Sequence, residues 1–362
     1  MPEPDSADET GGAGARGIDP VPPAPRPDPT MRDVAARAGV SVKTVSNFFN
    51  DYPHMRPETR ARIAAAVEEL DYRVNASARS LRAGRSGMIA LIVPELQAYF
   101  AELAQDVIEA AAPHGLTVLV ETTSGDRERE IEALAGARRQ RIDGAIFDPL
   151  ALGPDDVEHV RTGLPLVIIG ERQFDGLADH VLIADVEVAR TAMTHLLETG
   201  RRRILVVGSA RTTPSHTAAL RTRGCDLALR DAGLELDPGL IAAAVPWTRA
   251  GGADAVTEAL GSGTRFDAVL AFNDILALGA QFALFEAGLR VPEDVAVVGI
   301  DDTEDARYAT PQLTSISPGR AEIARRAVDL LVDRIASPGE PFVQVTVDYE
   351  LKVRRSSSSA SS

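Results

Sequence analysis

Short apolar segments alternate with amphipathic stretches from Gly87 onward, over about 270 residues, and this alternation limits the possible folds more than any other feature. Continuous apolar segments are typical of parallel strands that helices cover on both faces. We predict strands at residues 88–96, 116–122, 143–147, 166–169, 203–207, 268–271 and 295–299. We predict helices at residues 101–114, 127–139, 155–161, 186–199, 217–231, 251–260 and 275–286. We therefore expect an α/β body of two lobes with doubly wound parallel sheets and a cleft at the carboxyl edges of the strands.

The stretch Thr30–Asn50 differs from the body, because its apolar residues are spaced as in short helices and no apolar strand separates them. It predicts two short helices that are separated by a tight turn at Gly39 and share one small core, which is the pattern of a helix-turn-helix. Pro57 and Glu58 open a third helix that runs to about Leu70. The apolar residues of the first two helices are Val34, Ala35, Ala38, Val45, Phe48 and Phe49.

Ser41 occupies the position of an N-cap for the second predicted helix. If the apolar residues face inward, the opposite face carries short polar side chains that suit a major groove. Lys43 can donate to guanine, Asn47 can pair with adenine, and Val42 can touch a thymine methyl group. The alternative is an ordinary helical hairpin whose polar face is only solvated.

Residues 75–87 follow as an alanine-rich connector with three arginines and one large apolar side chain, Leu81. A helix this short is marginally stable in isolation, so the connector would need DNA or a symmetric partner to order it.

The runs RDVAARAGVSVKTVSNFFN and RPETRARIAAAVEELDYRVNASARSLR resemble the headpiece and hinge of the LacI/GalR family of bacterial transcription regulators. This resemblance implies a hinge helix from each subunit of a dimer in the minor groove. It places Leu81 as the wedge at the central base step and Arg82 as the basic residue beside it. It assigns base reading to Val42, Lys43 and Asn47, and phosphate contacts to Ser41, Thr44 and Asn50. Val74 departs from the family, which usually has proline before the hinge asparagine.

The body resembles the effector domain of the same family, whose fold is that of periplasmic sugar-binding proteins. The matching segments include GRRRILVVG, RTRGCDLALRDAGL and YATPQLTSI. The resemblance implies a further helix at 321–335 in the first lobe and a last strand at 343–351 in the second lobe. It gives a headpiece at 30–74, a hinge at 75–86 and an effector domain at 87–355. We expect the first lobe at 87–184 and 318–342, the second at 185–315 and 343–355, and a flexible end at 356–362.

Candidate effector residues follow the predicted strands, because ligands bind at the carboxyl edges of such sheets. Tyr99 and Phe100 come after the first strand, where core filling is the alternative. Asn273, Asp274 and Asp301 follow later strands, and Asp301 could instead cap the next segment. By resemblance, Arg221 and Trp247 also lie in the cleft. Ala184 replaces an acid that many relatives carry, so the effector is left open between a sugar or sugar derivative, a nucleobase and another metabolite.

Charge is distributed unevenly. Residues 30–85 hold ten basic and six acidic residues, a net of +4, whereas the whole chain carries −15. A basic module on an acidic body suits a protein whose small end meets phosphates. Residues 1–29 are proline-rich, with six acidic residues against two arginines, and we expect them to be disordered.

The single cysteine, Cys225, allows no intrachain disulfide and favours a cytoplasmic protein. We interpret it as a small core residue. The six histidines show no ligand-like spacing and are expected to be surface or capping residues. No segment is long and apolar enough to span a membrane, and neither phosphate-loop nor hydrolase motifs occur.

These observations favour a homodimeric repressor that binds near-palindromic double-stranded operator DNA under the control of a small molecule, with no cofactor, metal or catalytic residues. Whether dimers pair into tetramers stays open. The alternative is a solute-binding protein of a transport system, which would have no use for residues 30–85.

Overall fold

The computed structural model describes residues 29–49, 52, 54–70, 72, 85–161, 163–171, 174, 176–209 and 216–358. They belong to two compact units, one in the part up to Tyr72 and one from Arg85 onward. The N-terminal tail to residue 28, Val74 and the predicted site residues Asn50, Leu81 and Arg82 lie outside the described residues.

The first unit consists of helices α1 (Met31–Ala38), α2 (Val42–Phe49) and α3 (Pro57–Glu69). These bounds confirm the predicted helix-turn-helix and the third helix. One side chain from each helix is fully buried: Val34, Val45 and Ile63. The three helices therefore share one small apolar core, as the spacing of the apolar residues predicted.

The first lobe of the second unit is a parallel sheet in the order β11-β5-β4-β3-β1-β2. Its strands are β1 (Met88–Val93), β2 (Thr117–Thr122), β3 (Gly144–Phe147), β4 (Leu166–Ile169), β5 (Asp179–Ile183) and β11 (Gln344–Val347). Its helices are α4 (Tyr99–Ala111), α5 (Arg127–Arg139), α6 (Val157–Val160) and α12 (Arg320–Ala336). Alternate side chains of β1 enter two separate apolar cores, one on each face.

The second lobe repeats this design in the order β12-β10-β9-β8-β6-β7, where only the β12–β10 pair is antiparallel. Its strands are β6 (Ile204–Val207), β7 (Ile241–Ala242), β8 (Ala268–Ala271), β9 (Ala296–Ile300), β10 (Thr314–Ser317) and β12 (Glu350–Lys352). Its helices are α7 (Asp185–Glu198), α8 (His216–Asp231), α9 (Arg249–Gly261), α10 (Asp274–Glu286) and α11 (Glu304–Tyr308). Two doubly covered sheets confirm the predicted fold class.

The chain passes between the sheets at three places: from β5 to α7, from β10 to α12 and from β11 to β12. The predicted last strand, 343–351, is therefore wrong as one element of the second lobe. Residues 344–347 pair with β5 in the first sheet, and residues 350–352 pair with β10 in the second. The short break at Asp348 and Tyr349 lets one segment with alternating apolar residues form strands in both sheets.

The expectation of a flexible end from residue 356 is also wrong for its first two residues. Ser356 and Ser357 are buried. The Ser356 amide donates to the Gln312 carbonyl, and its own carbonyl accepts from the Val297 amide at 2.8 Å. The Ser357 hydroxyl lies 2.7 Å from the His195 ring nitrogen, so this serine pins the chain end to α7.

The burial of Cys225 and His180 tests two predictions about single residues. Cys225 is fully buried, as predicted. His180 is buried in β5, where its ring nitrogen lies 2.8 Å from the Gly170 carbonyl oxygen, so it is not the surface residue that we expected. Among the described residues, no helix has the length and apolar character to cross a membrane.

Helices α9 and α10 pack closely because each presents a glycine to the backbone of the other. A Cβ atom on Gly279 would overlap the backbone of Arg249 and Ala253, and one on Gly252 would overlap the backbone of Leu276. The close packing of α9 and α10 therefore requires glycine at both Gly252 and Gly279.

We predict that Gly279→Ala lowers the stability of the second unit by about 1–3 kcal/mol, because the added methyl group forces the helices apart. The control is Gly136→Ala in α5, where a Cβ atom would meet nothing within 4 Å. That change should stabilise by up to about 1 kcal/mol through helix propensity. Urea unfolding measures both, and equal effects of the two alanines would contradict the close crossing.

Candidate DNA-binding and effector-binding sites

The turn between α1 and α2 is held by an arginine from the third helix. Gly39 takes the left-handed conformation, with φ of 62°. Arg62 donates to the Ala38 carbonyl at 2.6 and 3.1 Å and to the Gly39 carbonyl at 3.0 Å. These carbonyls at the end of α1 have no partner within their own helix, so the guanidinium satisfies them and fixes the turn. This role of Arg62 was not predicted from the sequence, because Arg62 lies on α3, 23 residues after the turn.

Helix α2 starts as predicted. The Ser41 hydroxyl accepts from the Thr44 amide at 3.1 Å and lies 2.8 Å from the Thr44 hydroxyl. Val45 is buried and Lys43 is exposed, which confirms the orientation of the helix. Val42 and Asn47 are half-buried. Contact of Ser41, Val42, Lys43, Thr44 and Asn47 with DNA stays a prediction.

Arg221 lies at the carboxyl edge of the second sheet, where the cleft is predicted. It is 5% exposed. Its Nε donates to Asp185 Oδ1 at 2.7 Å, and another nitrogen donates to the Phe272 carbonyl at the end of β8. A guanidinium has five N–H donors, so donors remain for a ligand. Arg221 thereby joins the start of α7 to the carboxyl edge of the second sheet.

Trp247 packs beside this arginine. The centroid of its ring lies 5.7 Å from the Arg221 guanidinium carbon and 6.2 Å from the Phe272 ring. Its indole nitrogen donates to the Gly208 carbonyl at 3.0 Å. The predicted grouping of Arg221 and Trp247 is thus present, with the indole held in place by the loop after β6.

Tyr99 and Asp301 come from opposite lobes and are both half-buried. Burial, followed by the carboxylates of Asp301 and Asp148, holds the pKa of Tyr99 well above its usual value. The pKa of Asp301 is raised by burial, and Arg221 opposes the rise. Phe100 meets Tyr99 edge to face at 5.4 Å and packs on the core of the first lobe, so it has the core-filling position.

Asn273 and Asp274 are engaged by the protein itself. The Asn273 side chain caps α10 by accepting from the Leu276 amide at 2.9 Å. Asp274 is fully buried, and burial raises its pKa to about 7. It accepts from the Thr303 amide at 2.8 Å and from the Ser315 hydroxyl at 2.6 Å. Both residues therefore have structural roles, and their contact with an effector stays a prediction.

Three further acids, which were not predicted as site residues, lie close enough to interact electrostatically. Asp148 follows β3, Glu171 comes soon after β4, and Asp185 begins α7. The rule that selected Asp301 would also have found Asp148 and Glu171. Asp185 Oδ2 is buried and has no hydrogen-bond partner among the described residues. A buried acceptor without a partner is costly, so a ligand that donates to it would be stabilising.

The cleft therefore combines hydrogen-bond acceptors from both lobes with one arginine and one indole. Glu171 of the first lobe also accepts from the Thr217 hydroxyl of the second. This set of groups can bind a ligand that is rich in hydroxyl or amino groups. Among the described residues, no group of side chains could hold a metal ion.

A helix-turn-helix unit and a two-lobed body with a polar cleft define a ligand-responsive DNA-binding protein. Residues 30–75 match the lacI family of bacterial regulatory proteins, and residues 193–357 match the periplasmic binding protein-like domain. The ribose operon repressor of Escherichia coli K12 is 32% identical over 313 residues, which cover 85% of this chain and 94% of that repressor.

Solved structures agree with this result. A LacI-family regulator from Sanguibacter keddieii is 47% identical, with a TM-score of 0.71 over 76% of this chain and 99% of its own. The operator-bound lac repressor dimer is 26% identical, with a TM-score of 0.80 over 91% of this chain and 99% of its own. This chain belongs to the LacI family of bacterial regulatory proteins and is a DNA-binding transcriptional regulator, which confirms the resemblance.

We predict that the acids of the cleft make the stability of the second unit fall as the pH rises. Burial, and then Glu171, Glu130 and Asp185, hold the pKa of Asp148 well above its usual 3.8. A carboxyl with a raised pKa in the folded state binds more protons there than in the unfolded state. Its stabilising effect is therefore lost as the pH rises from about 3.8 through the raised value.

Asp148→Asn removes this titration, so its unfolding midpoint should change less between pH 5 and pH 8 than that of the unmodified protein. At pH 8 the variant should be the more stable of the two. The control is Asp155→Asn, an exposed aspartate of the same lobe. An unchanged slope in Asp148→Asn would contradict the account.

Proposed function

We propose that this regulator is a homodimeric repressor whose operator binding is controlled by a small molecule in the cleft. The observation that supports this most is that both lobes contribute polar groups to the same cleft. Asp148 and Glu171 come from the first lobe, and Arg221 and Asp301 from the second. A ligand that contacts all four would change the free energy of lobe closure, because an open cleft separates its partners.

The proposed effector is a sugar or a sugar derivative. Hydroxyl groups can donate to Asp185 Oδ2 and accept from the remaining N–H groups of Arg221, and a sugar ring can stack on Trp247. The ribose operon repressor described above is a relative whose name refers to a sugar operon. We assign the cleft a binding role and no reaction.

Exposed apolar side chains support pairing with a second copy of the chain. Strand β2 is an edge strand, and its Leu119 and Val120 are both 37% exposed. In the second lobe, Phe282 and Phe285 lie one helical turn apart on α10 and are 61% and 75% exposed. Such patches mark interaction surfaces. The lac repressor neighbour is described as a dimer on its operator.

In the proposed mechanism, effector binding and operator binding are linked because each favours one of two arrangements of the lobes. Rotation of the lobes in both subunits changes the separation of the two hinge segments, residues 75–86. The hinges, with Leu81 as wedge and Arg82 beside it, then either assemble on the operator or separate. Two-fold pairing requires a near-palindromic operator. Because its target is the genome of a bacterium, we place the protein in the cytoplasm.

The alternative function, that of a solute-binding protein of a transport system, has less support. It would account for the two lobes and the cleft, but it would give no role to the first unit, with its capped second helix and exposed Lys43.

We predict that Lys43→Ala relaxes the sequence preference at one position of each half-site and costs about 1–3 kcal/mol of specific binding. The chain has one other lysine, Lys352, whose ammonium pairs with Glu350 on the body at 2.6 Å. Lys352→Ala therefore removes the same charge away from the first unit and serves as the control. Selection from a randomised duplex library measures both profiles.

The unmodified protein should select a near-palindrome, and Lys352→Ala should select the same sequence. A Lys43→Ala profile identical to that of the unmodified protein would remove Lys43 from the reading face.

A further inference from the structure

The two lobes make a second contact across the cleft, on the side of α4 and α11. Glu102 lies in the first turn of α4, in the first lobe. Its carboxylate accepts from the backbone amide of Glu304 at 2.8 Å, and Glu304 is the first residue of α11 in the second lobe. One side chain of the first lobe thus holds a backbone group of the second.

The Glu102 carboxylate is itself held in place. Arg320 donates to its other oxygen, and also to Asp106 Oδ2 at 2.7 Å. Arg320 begins α12, directly after the second passage of the chain between the lobes. The side chains of the three residues are between 18% and 25% exposed, so water weakens this ion pair only in part.

The segment that receives this contact also carries Asp301, whose carboxylate acts electrostatically on Tyr99 and raises the pKa of its hydroxyl. Asp301 and Asp302 both have positive φ, 122° and 51°, which is strained for residues other than glycine. Asp302 pairs with Arg354 and, at 3.0 Å, with Arg307. Thr303 donates to Asp274. Since residues 302 and 303 are fixed on both sides, the segment moves as one piece with the second lobe.

We propose that Glu102 is a positioning residue of the effector cleft: through the Glu304 amide it latches the lobes in the closed arrangement and places Asp301 opposite Tyr99. The inference deepens the proposed function, because closure of this cleft is the movement that we connect to operator binding. In the closed cleft, the latch gives the lobes a contact that does not use the ligand.

Glu304→Pro tests the latch with little other change. Proline lacks the donated N–H group, and it is favoured at the first position of a helix. Thr303, with φ of −66° and ψ of 161°, already has the conformation that a residue before proline requires. Glu304→Ala is the matched control, because it removes the same side chain and keeps the N–H group.

The reporter is Trp247, the only tryptophan of the chain, which is half-buried beside Arg221. Quenching of its fluorescence by acrylamide measures how open the cleft is. Loss of one hydrogen bond to a charged acceptor should raise the open population about tenfold, so quenching should increase in Glu304→Pro and not in Glu304→Ala. Glu102→Ala, a variant in the other lobe, should reproduce the increase.

Unfolding midpoints of the full chain confirm that each variant is folded before it is compared. The proposal is wrong if Glu304→Pro and Glu102→Ala are both folded and acrylamide quenches their Trp247 fluorescence no more than that of the unmodified protein. The measurement uses neither DNA nor effector, so its failure would leave the proposed function intact. Loss of operator binding, conversely, would not affect the quenching result.

Discussion

The buried pair of Arg221 and Asp185 is the interaction on which the cleft depends. Removing two charges from water is unfavourable unless both are paired and hydrogen-bonded. Arg221 meets this condition by binding Asp185 Oδ1 and the Phe272 carbonyl. Asp185 meets it only in part, because Oδ2 has no partner among the described residues. The pair therefore holds the second lobe together at the point where the chain enters it, and it leaves one strong acceptor for a ligand.

At several places among the described residues, arginine side chains donate hydrogen bonds to backbone carbonyl groups. Arg62 closes the turn of the helix-turn-helix. Arg334 binds the carbonyls of Glu340 and Pro341 while it pairs with the buried Asp179, and so fixes the loop before β11. A planar guanidinium with several donors can satisfy two or three groups at once, which a lysine cannot. This difference fits a chain with only two lysines.

Local patterns in the sequence were sufficient for most of the fold. Helix α5 begins and ends at the predicted residues, and β4 and β8 also have their predicted bounds. Strand β5 was missed because it opens with Asp179 and His180, whose partners Arg334 and Gly170 are distant or not evident in the sequence. The last strand was placed in one lobe because apolar and polar residues alternate without interruption over residues 343–351, and this pattern does not show where the chain changes sheets. In the cleft, Asp301 could be selected because it follows a strand. The same rule also selected Asp274, and it could not show that the Asp274 carboxylate already accepts hydrogen bonds from Thr303 and Ser315.

In the proposed mechanism, one small molecule that binds between the lobes at Arg221 controls operator binding. To test this, the affinity of the full chain for its selected operator is measured in the presence of each member of a panel of sugars and nucleosides. Thermal shifts are recorded in parallel, for the unmodified protein and for Arg221→Lys. We expect that a compound that raises the unfolding midpoint also changes operator affinity, and that both effects disappear in Arg221→Lys. A compound that changes operator affinity equally in both proteins would show that the control does not act through Arg221.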